Sequence, residues 1–328
     1  MSFLKKIWRP VTALALLFVL IQRGPFKVDQ IQFALSQKNI LFLGLLVFST
    51  QLVLYTARWL IFTNQVTSLS FKQAFRLTLI GQFFSFFIPG GVGGDVVKAL
   101  EMSHETHVGR ADSLSTVIAD RVFGLFAMVG LSALFLAIEY FNNPSEAIWY
   151  YFLVNLVLFT GLTFGLLFTP AVLQKLQPLF ANRPIYILKK IEKFLGIFHL
   201  ALNCFRRPSI QIKNLIVCAA LQVLTVYFIY AVVQVLNIET PSFLVFFALC
   251  CFGFVATAIP LTPAGIGVGQ AAFYFLFSRF SDRLGEASVT ALSLFQLFTL
   301  FFALFGGVLF AFKSKKEKAG SHASKTPI

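Results

Sequence analysis

The sequence contains little charge for its length. Only 12% of its 328 residues are charged, whereas 58% are hydrophobic and the mean hydropathy is +0.81. A soluble domain could not cover its surface with so few charged side chains. Several uncharged runs also reach the roughly 20 residues that cross a bilayer core of about 30 Å. The sequence therefore predicts an all-α polytopic membrane protein.

Motifs of soluble enzymes are also missing. The sequence has no Walker loop, no HExxH and no GxSxG, and its four cysteines show no paired spacing. In "EMSHETH" at 101–107, His104 and His107 are three residues apart with no third histidine nearby, so we expect an exposed turn and not a metal site. We therefore expect no cofactor, no metal and no catalytic residue.

The net charge of +14 comes from basic residues that cluster between apolar segments and at the C-terminus. This distribution follows the positive-inside rule and argues against nucleic acid as a partner. It predicts that both termini are cytoplasmic, with a basic tail at 313–328 and a basic amphipathic segment at 170–210 on the inner leaflet. The loops 142–147 and 237–241 contain no Lys or Arg, so we expect them outside.

These loop positions restrict how the apolar segments cross the membrane. The segments lie at 9–22, 40–63, 74–88, 112–140, 146–169, 212–237, 242–259, 266–278 and 288–312. All loops fall on their predicted sides only if 74–101 enters the membrane from the inside and returns there. Likewise, 242–278 must enter from the outside and return there. We therefore predict one transmembrane domain, 1–312, with six full crossings and two opposed re-entrant helical hairpins.

The two predicted hairpin tips share a sequence pattern. "PGGVG" begins at Pro89 and "PAGIG" begins at Pro263, an offset of 174 residues. The same offset moves span 40–63 almost onto span 212–237. The chain thus divides into halves of about 1–140 and 146–312 that enter from opposite sides. Such an inverted-topology repeat with broken helices is typical of secondary transporters.

Glycine and proline at both tips indicate irregular backbone within the membrane. Unpaired backbone groups there must be shielded from lipid, and a cavity lined by protein and water can do this. Each helix that restarts after a tip offers free N–H groups to an anion, so two such ends suit a phosphate headgroup. Alternatively, the small residues only allow close helix packing.

Four charged residues lie near the first tip or in the span that follows it. Asp95 either caps its helix, pairs with Lys98, takes a proton or meets a cationic headgroup. Asp120 and Arg121 are adjacent and point about 100° apart on a helix, so each should face a separate partner. A transport role and a structural ion pair are both open for them.

Two further arginines lie closer to the predicted membrane surface. We expect Arg58, near the inner end of span 40–63, to extend to the headgroups. Arg76, at the start of the first hairpin, either guides lipid phosphates or extends to the surface in the same way.

Three stretches together resemble a known family. "FFSFFIPGGVGGDVVKAL", "TVIADRVFGLF" and "PLTPAGIGVGQAAFYFL", in this order and spacing, resemble the flippase-like family that includes the transmembrane region of lysylphosphatidylglycerol synthase. The resemblance covers residues 5–312. It implies a bacterial or archaeal inner membrane and a role in handling lipids. The synthase also carries a large soluble domain that attaches the amino acid, and this sequence shows nothing of the kind, so we do not expect aminoacyl-lipid synthesis. By match, the headgroup cavity would include Pro89, Gly91, Gly93, Asp95, Lys98, Asp120, Arg121, Pro263, Gly265 and Gly267.

The first functional hypothesis is a translocase for a lipid or a lipid-linked headgroup, bound between the two tips. Without an ATP site, movement would be downhill or coupled to protons through Asp95 or Asp120. The expected partner is a membrane lipid with a phosphate-containing headgroup; an enzyme that makes this lipid and self-association are also compatible. The alternatives are an integral membrane transferase or accessory subunit acting on a lipid carrier, and a secondary transporter of small solutes or ions.

Overall fold

A computed structural model of the chain describes residues 27–88, 93–181, 196–198, 200–201, 208–258 and 262–323. Within these ranges the protein is all-helical, with ten α-helices, one short 3-10 helix and no strand. The helices are α1 (Val28–Ser36), α2 (Lys38–Thr63), α3 (Phe71–Phe87), α4 (Gly93–Thr106), α5 (Arg110–Asn142), α6 (Glu146–Ala181), α7 (Pro208–Val235), α8 (Phe243–Thr257), the 3-10 helix Pro263–Gly265, α9 (Val268–Phe277) and α10 (Asp282–Ala323).

Five helices contain stretches that are long and apolar enough to cross a membrane. These stretches are Lys38–Thr63, Arg110–Asn142, Glu146–Gly165, Ile210–Val235 and Asp282–Phe312. They coincide with five of the six predicted crossings, and the sixth, 9–22, lies outside the described residues. The prediction of a helical, multi-pass membrane protein is therefore confirmed.

The segment predicted to lie on the inner leaflet, 170–210, begins within a helix. Helix α6 continues through it as far as Ala181. The central part of the segment, 182–195, lies outside the described residues, as does the end of the predicted tail, 324–328.

Four shorter helices form two antiparallel pairs. In the first pair, Arg76 of α3 contacts Glu105 of α4, and Ile88 lies against Gly93 at the opposite end. In the second pair, Phe246 of α8 packs on Phe277 of α9, and Phe254 packs on Phe273 nearer the turn. Each pair is therefore a helical hairpin.

Serine caps begin both hairpins. The Ser70 hydroxyl accepts a hydrogen bond from the backbone N–H of Gln73, whose side chain in turn accepts from the Ser70 N–H. The Ser242 hydroxyl accepts from the N–H of Val245 in the same way. These bonds satisfy donors that a helix start leaves unpaired. The sequence thus fixes where each hairpin starts.

The packing of helices is repeated in the two halves of the chain. Helix α3 packs on α10, whereas α8 packs on α5, and α2 packs on α7 between them. The Gln51 amide donates to the Thr225 hydroxyl at 2.8 Å, and these residues are 174 positions apart. This is the offset of the two glycine motifs. Phe48 contacts Phe228 and Arg58 contacts Cys218, so α2 and α7 run antiparallel.

Candidate functional site

A buried ion pair joins two long helices. The guanidinium of Arg58 on α2 donates from Nε and Nη2 to the two carboxylate oxygens of Asp120 on α5, at 2.6 and 2.8 Å. Their side chains are only 8% and 10% exposed. Gly124 leaves room for the guanidinium, since a Cβ at that position would lie 2.9 Å from Nη1. The expectation that Arg58 extends to the headgroups is therefore wrong, because Asp120 holds it in the interior.

A second ion pair lies beside the start of α4. Arg121 on α5 donates from Nε and Nη2 to the two carboxylate oxygens of Asp95, at 2.8 and 3.1 Å. The Arg121 side chain is 62% exposed, whereas that of Asp95 is 17% exposed. The prediction that Asp120 and Arg121 face separate partners is confirmed. Of the alternatives for Asp95, the structure shows an ion pair with Arg121 and none with Lys98.

Lys98 lies between these pairs and is itself buried, with 7% of its surface exposed. Its ammonium sits 3.7 Å from the ring centroid of Trp59, which makes a cation–π contact. The Trp59 indole N–H donates to the Thr116 hydroxyl at 3.2 Å, and this bond fixes the ring. Within the described part of the chain, the Lys98 ammonium has neither a hydrogen bond nor an ion pair.

The five charged groups do not balance. Arg58, Lys98 and Arg121 contribute three positive charges, and Asp95 and Asp120 contribute two negative ones. The two arginines are each held by a carboxylate, so the surplus charge belongs to Lys98. The arrangement therefore suits a negatively charged ligand.

The second hairpin carries a neutral network at a related position. Gln270 on α9 accepts from the Gly267 N–H at 2.7 Å and donates to Gln296 on α10 at 2.6 Å. Gln296 and Gln270 are 26 residues apart, as are Arg121 and Asp95. The sequence analysis missed these glutamines, although this shared spacing after each glycine motif could have indicated them.

The second tip has unusual backbone and touches the first hairpin. Ala264, Gly265 and Gly267 have positive φ angles of 49°, 69° and 87°. The Ala264 carbonyl accepts from the Gln296 amide at 3.5 Å. The 3-10 helix Pro263–Gly265 packs against α3, so the two hairpins meet.

The remaining predicted residues lie apart from the cluster or outside the described residues. Gly93 begins α4, and Pro89 and Gly91 lie outside the described residues. Arg76 is paired with Glu105 at 2.5 Å. No group of three metal-ligating side chains occurs in the part of the chain that the structure describes, the histidines of 101–107 included.

The fold and the cluster define a class: a multi-pass helical membrane protein with two paired helical hairpins and charges buried beside one of them. The chain belongs to the family of the lysylphosphatidylglycerol synthase TM region, which matches residues 7–307. It is also similar to the UPF0104 membrane protein MJ1078 of Methanocaldococcus jannaschii. The two are 27% identical over 235 residues, or 70% of this chain and 93% of that protein. No solved structure matches the chain.

Proposed function

We propose that the protein moves a lipid, or a lipid-linked headgroup, between the leaflets of a bacterial or archaeal inner membrane. The headgroup binds between the two glycine-rich tips, next to Arg121. The family's name supports a connection with lipids, because it refers to an enzyme that makes a phospholipid. An enzyme that supplies the lipid and a second copy of the chain are both compatible partners.

The exposed guanidinium of Arg121 carries this proposal. Arg121 belongs to α5, an apolar helix long enough to cross the membrane, yet its side chain is 62% exposed. A charge at such a position costs several kcal/mol when it faces lipid tails, so it normally faces a water-filled cavity or the interior of a bundle. We therefore assign the space in front of Arg121 to a polar cavity.

The geometry of this guanidinium suits a phosphate. It already binds both oxygens of one carboxylate, and the same planar fork binds two phosphate oxygens. The start of α4 at Gly93 lies close to Asp95 and adds free backbone N–H groups. The second tip, which includes Gly265, packs on α3 and so brings a second stretch of glycine-containing backbone to the first hairpin.

The proposed membrane topology contains six crossings and two re-entrant hairpins in an inverted repeat, with both termini cytoplasmic. Helices α3, α4, α8 and α9 have 17, 14, 15 and 10 residues. All are shorter than the roughly 20 residues that a full crossing needs. Each pair therefore enters the membrane and returns to the side from which it came.

Labelling of single cysteines by an impermeant maleimide tests this topology in intact cells. Glu239→Cys and Ser281→Cys flank the second hairpin, and both should react from outside. His104→Cys, at the exposed end of the first hairpin, should react only after the cells are opened. All three are made in a Cys204→Ser background, since Cys218, Cys250 and Cys251 are buried. If residues 239 and 281 are labelled from opposite sides of the membrane, the second hairpin is not re-entrant and the proposed topology is wrong.

The energy source is downhill movement of the lipid or coupling to protons. Asp95 and Asp120 are the candidates for coupling, and each is held by an arginine. A proton on either carboxylate would break its ion pair, so coupling would link protonation to release of Arg121 or Arg58.

Lipid movement in proteoliposomes tests the proposed function. Lipids with a fluorescent acyl chain are placed in both leaflets, and dithionite then destroys the fluorescence that reaches the outer leaflet. Arg121→Gln should slow the movement about tenfold to a hundredfold, because a hydrogen bond to a charged group contributes about 1.5–3 kcal/mol. Arg279→Gln is the matched control, since Arg279 is exposed and its guanidinium lies over the Phe275 ring.

The other outcomes separate the alternative functions. If the wild-type protein moves no lipid but admits a small soluble anion, it is a solute transporter. If it moves neither, the lipid-carrier transferase or accessory function replaces the proposal.

A further inference from the structure

We infer that the cargo headgroup is a phosphodiester with one net negative charge, and that Lys98 balances this charge by taking Asp95 from Arg121. This inference rests on the proposed function and concerns the same site. It is carried by the Lys98 ammonium, which has no hydrogen-bond or ion-pair partner among the described residues, and by the unequal number of positive and negative charges in the cluster.

The first step concerns the surroundings of Lys98. An ammonium has three N–H donors, and a buried one ordinarily needs acceptors or a carboxylate to offset the loss of water. The Trp59 ring, at 3.7 Å, offers only its π face. The carboxylates of the cluster, Asp120 and Asp95, are both engaged by arginines. Among the described residues, this largely buried lysine therefore has no anion of its own.

The second step concerns which carboxylate can change its partner. The Arg58–Asp120 pair is enclosed, with both side chains at most 10% exposed. Asp95, in contrast, lies three residues before Lys98 on the same helix, and side chains at this spacing are neighbours. Its present partner, Arg121, is also the exposed member of the cluster. Asp95 is therefore the carboxylate that can exchange Arg121 for Lys98.

The third step counts charges after a phosphate binds. When the phosphate binds the Arg121 guanidinium, Asp95 pairs with Lys98. The Arg58–Asp120 pair is unchanged. Three positive and three negative charges then leave none unpaired. A zwitterionic headgroup adds no net charge and leaves one cation over, whereas a phosphomonoester of nearly two negative charges leaves an anion over.

The second hairpin does not alter this count. Its network at the corresponding position consists of Gln270, Gln296 and Ser293, which are uncharged. Selection by charge therefore belongs to the first hairpin and to α5.

The test compares three lipids with identical labelled acyl chains in the same proteoliposomes. Phosphatidylglycerol carries one negative charge, phosphatidylcholine is zwitterionic, and phosphatidic acid is a phosphomonoester. The wild-type protein should move phosphatidylglycerol at least about tenfold faster than either, the change that 1.4 kcal/mol produces. Uptake of soluble glycerophosphoglycerol by the same vesicles is measured in parallel. This measurement distinguishes recognition of a lipid headgroup from recognition of a free phosphodiester.

Two variants test the exchange of partners. Lys98→Gln should abolish the preference for phosphatidylglycerol, because Asp95 then has no cation when Arg121 is occupied. Adding Asp95→Asn restores the balance of charges, so the double variant should regain the preference. A purely structural role for Lys98 predicts no such rescue. Lys72→Gln, at an exposed lysine, is the matched control, and gel filtration identifies variants that fail to fold.

The outcomes separate this inference from the proposed function. Equal movement of all three lipids by the wild-type protein overturns the inference and leaves the translocase function standing. If the wild-type protein moves no lipid, the proposed function is wrong. If it then takes up glycerophosphoglycerol, its substrate is a soluble phosphodiester with the same single negative charge. A double variant that stays unselective overturns the exchange between Asp95 and Lys98.

Discussion

The first hairpin is joined to the following long helix by an ion pair, and the second by a pair of glutamines. Asp95 of α4 binds Arg121 of α5, and Gln270 of α9 binds Gln296 of α10, with the same separation of 26 residues. Both contacts hold the second arm of a hairpin to the long helix that follows it, and each glutamine lies one residue beyond the position that the 174-residue offset gives its charged counterpart. The chemistry differs, because only the ion pair contains a guanidinium that can leave its carboxylate and bind an anion.

The burial of the two hairpins differs in the same direction. Phe246, Phe247, Phe273 and Phe277 of the second hairpin are fully buried in the main hydrophobic core. In the first hairpin, Phe87, Val96 and Leu100 are at least 40% exposed. We infer that the second hairpin is the fixed wall of the site, whereas the first hairpin carries the groups that respond to cargo.

The largest effect should come from breaking the buried ion pair beside the first hairpin. Arg58→Met leaves Asp120 charged, enclosed and unpaired, and breaking such a pair costs about 3–5 kcal/mol of stability. Gln296→Leu in the neutral network should cost less, about 1–3 kcal/mol, because it leaves only an uncharged amide without its partner. Unfolding in mixed micelles measures both free energies.

A double variant provides the control for this comparison. Arg58→Met combined with Asp120→Leu removes both charges and should recover most of the lost stability. If the Arg58→Met protein is no less stable than Gln296→Leu, a buried unpaired charge costs no more here than a lost neutral hydrogen bond. That result would contradict the prediction.

The long apolar helices and the paired shorter helices could be predicted because they depend on local sequence. A crossing needs length and low charge, and a hairpin tip needs glycine and proline, so both are visible in a single stretch of residues. The offset between "PGGVG" and "PAGIG" similarly predicts where the halves correspond. In the structure the same offset separates Gln51 from Thr225, which meet between α2 and α7.

The partners of the charged residues could not be predicted, since they depend on how distant helices pack. Arg58 and Asp120 are 62 residues apart, and nothing near Arg58 in the sequence indicates a carboxylate. Helical geometry did predict that Asp120 and Arg121 point to different partners, but not which partners. Glutamines are common and uncharged, so the sequence marks Gln270 and Gln296 only by their separation of 26 residues, which equals that of Asp95 and Arg121.

Effects equal to that of Gln296→Leu or smaller should come from the glycines inside each hairpin. A Cβ at Gly94 would strike the backbone carbonyl of Gly81 and the Ser85 side chain, so α3 and α4 would have to separate. We expect Gly94→Ala to cost about 1–3 kcal/mol, the usual range for overpacking. At Gly253 the three atoms nearest to an added Cβ all belong to the ring of Phe273, a side chain and not backbone, so Gly253→Ala should cost less.

An exposed glycine calibrates this last comparison. Gly161 on α6 has nothing within 4 Å of an added Cβ, so Gly161→Ala should be neutral or stabilise by up to about 1 kcal/mol through helix propensity. The same unfolding measurement ranks all three variants. If Gly253→Ala costs as much as Gly94→Ala, the hairpins are equally tight. The distinction between a clash with backbone and a clash with a side chain would then be wrong.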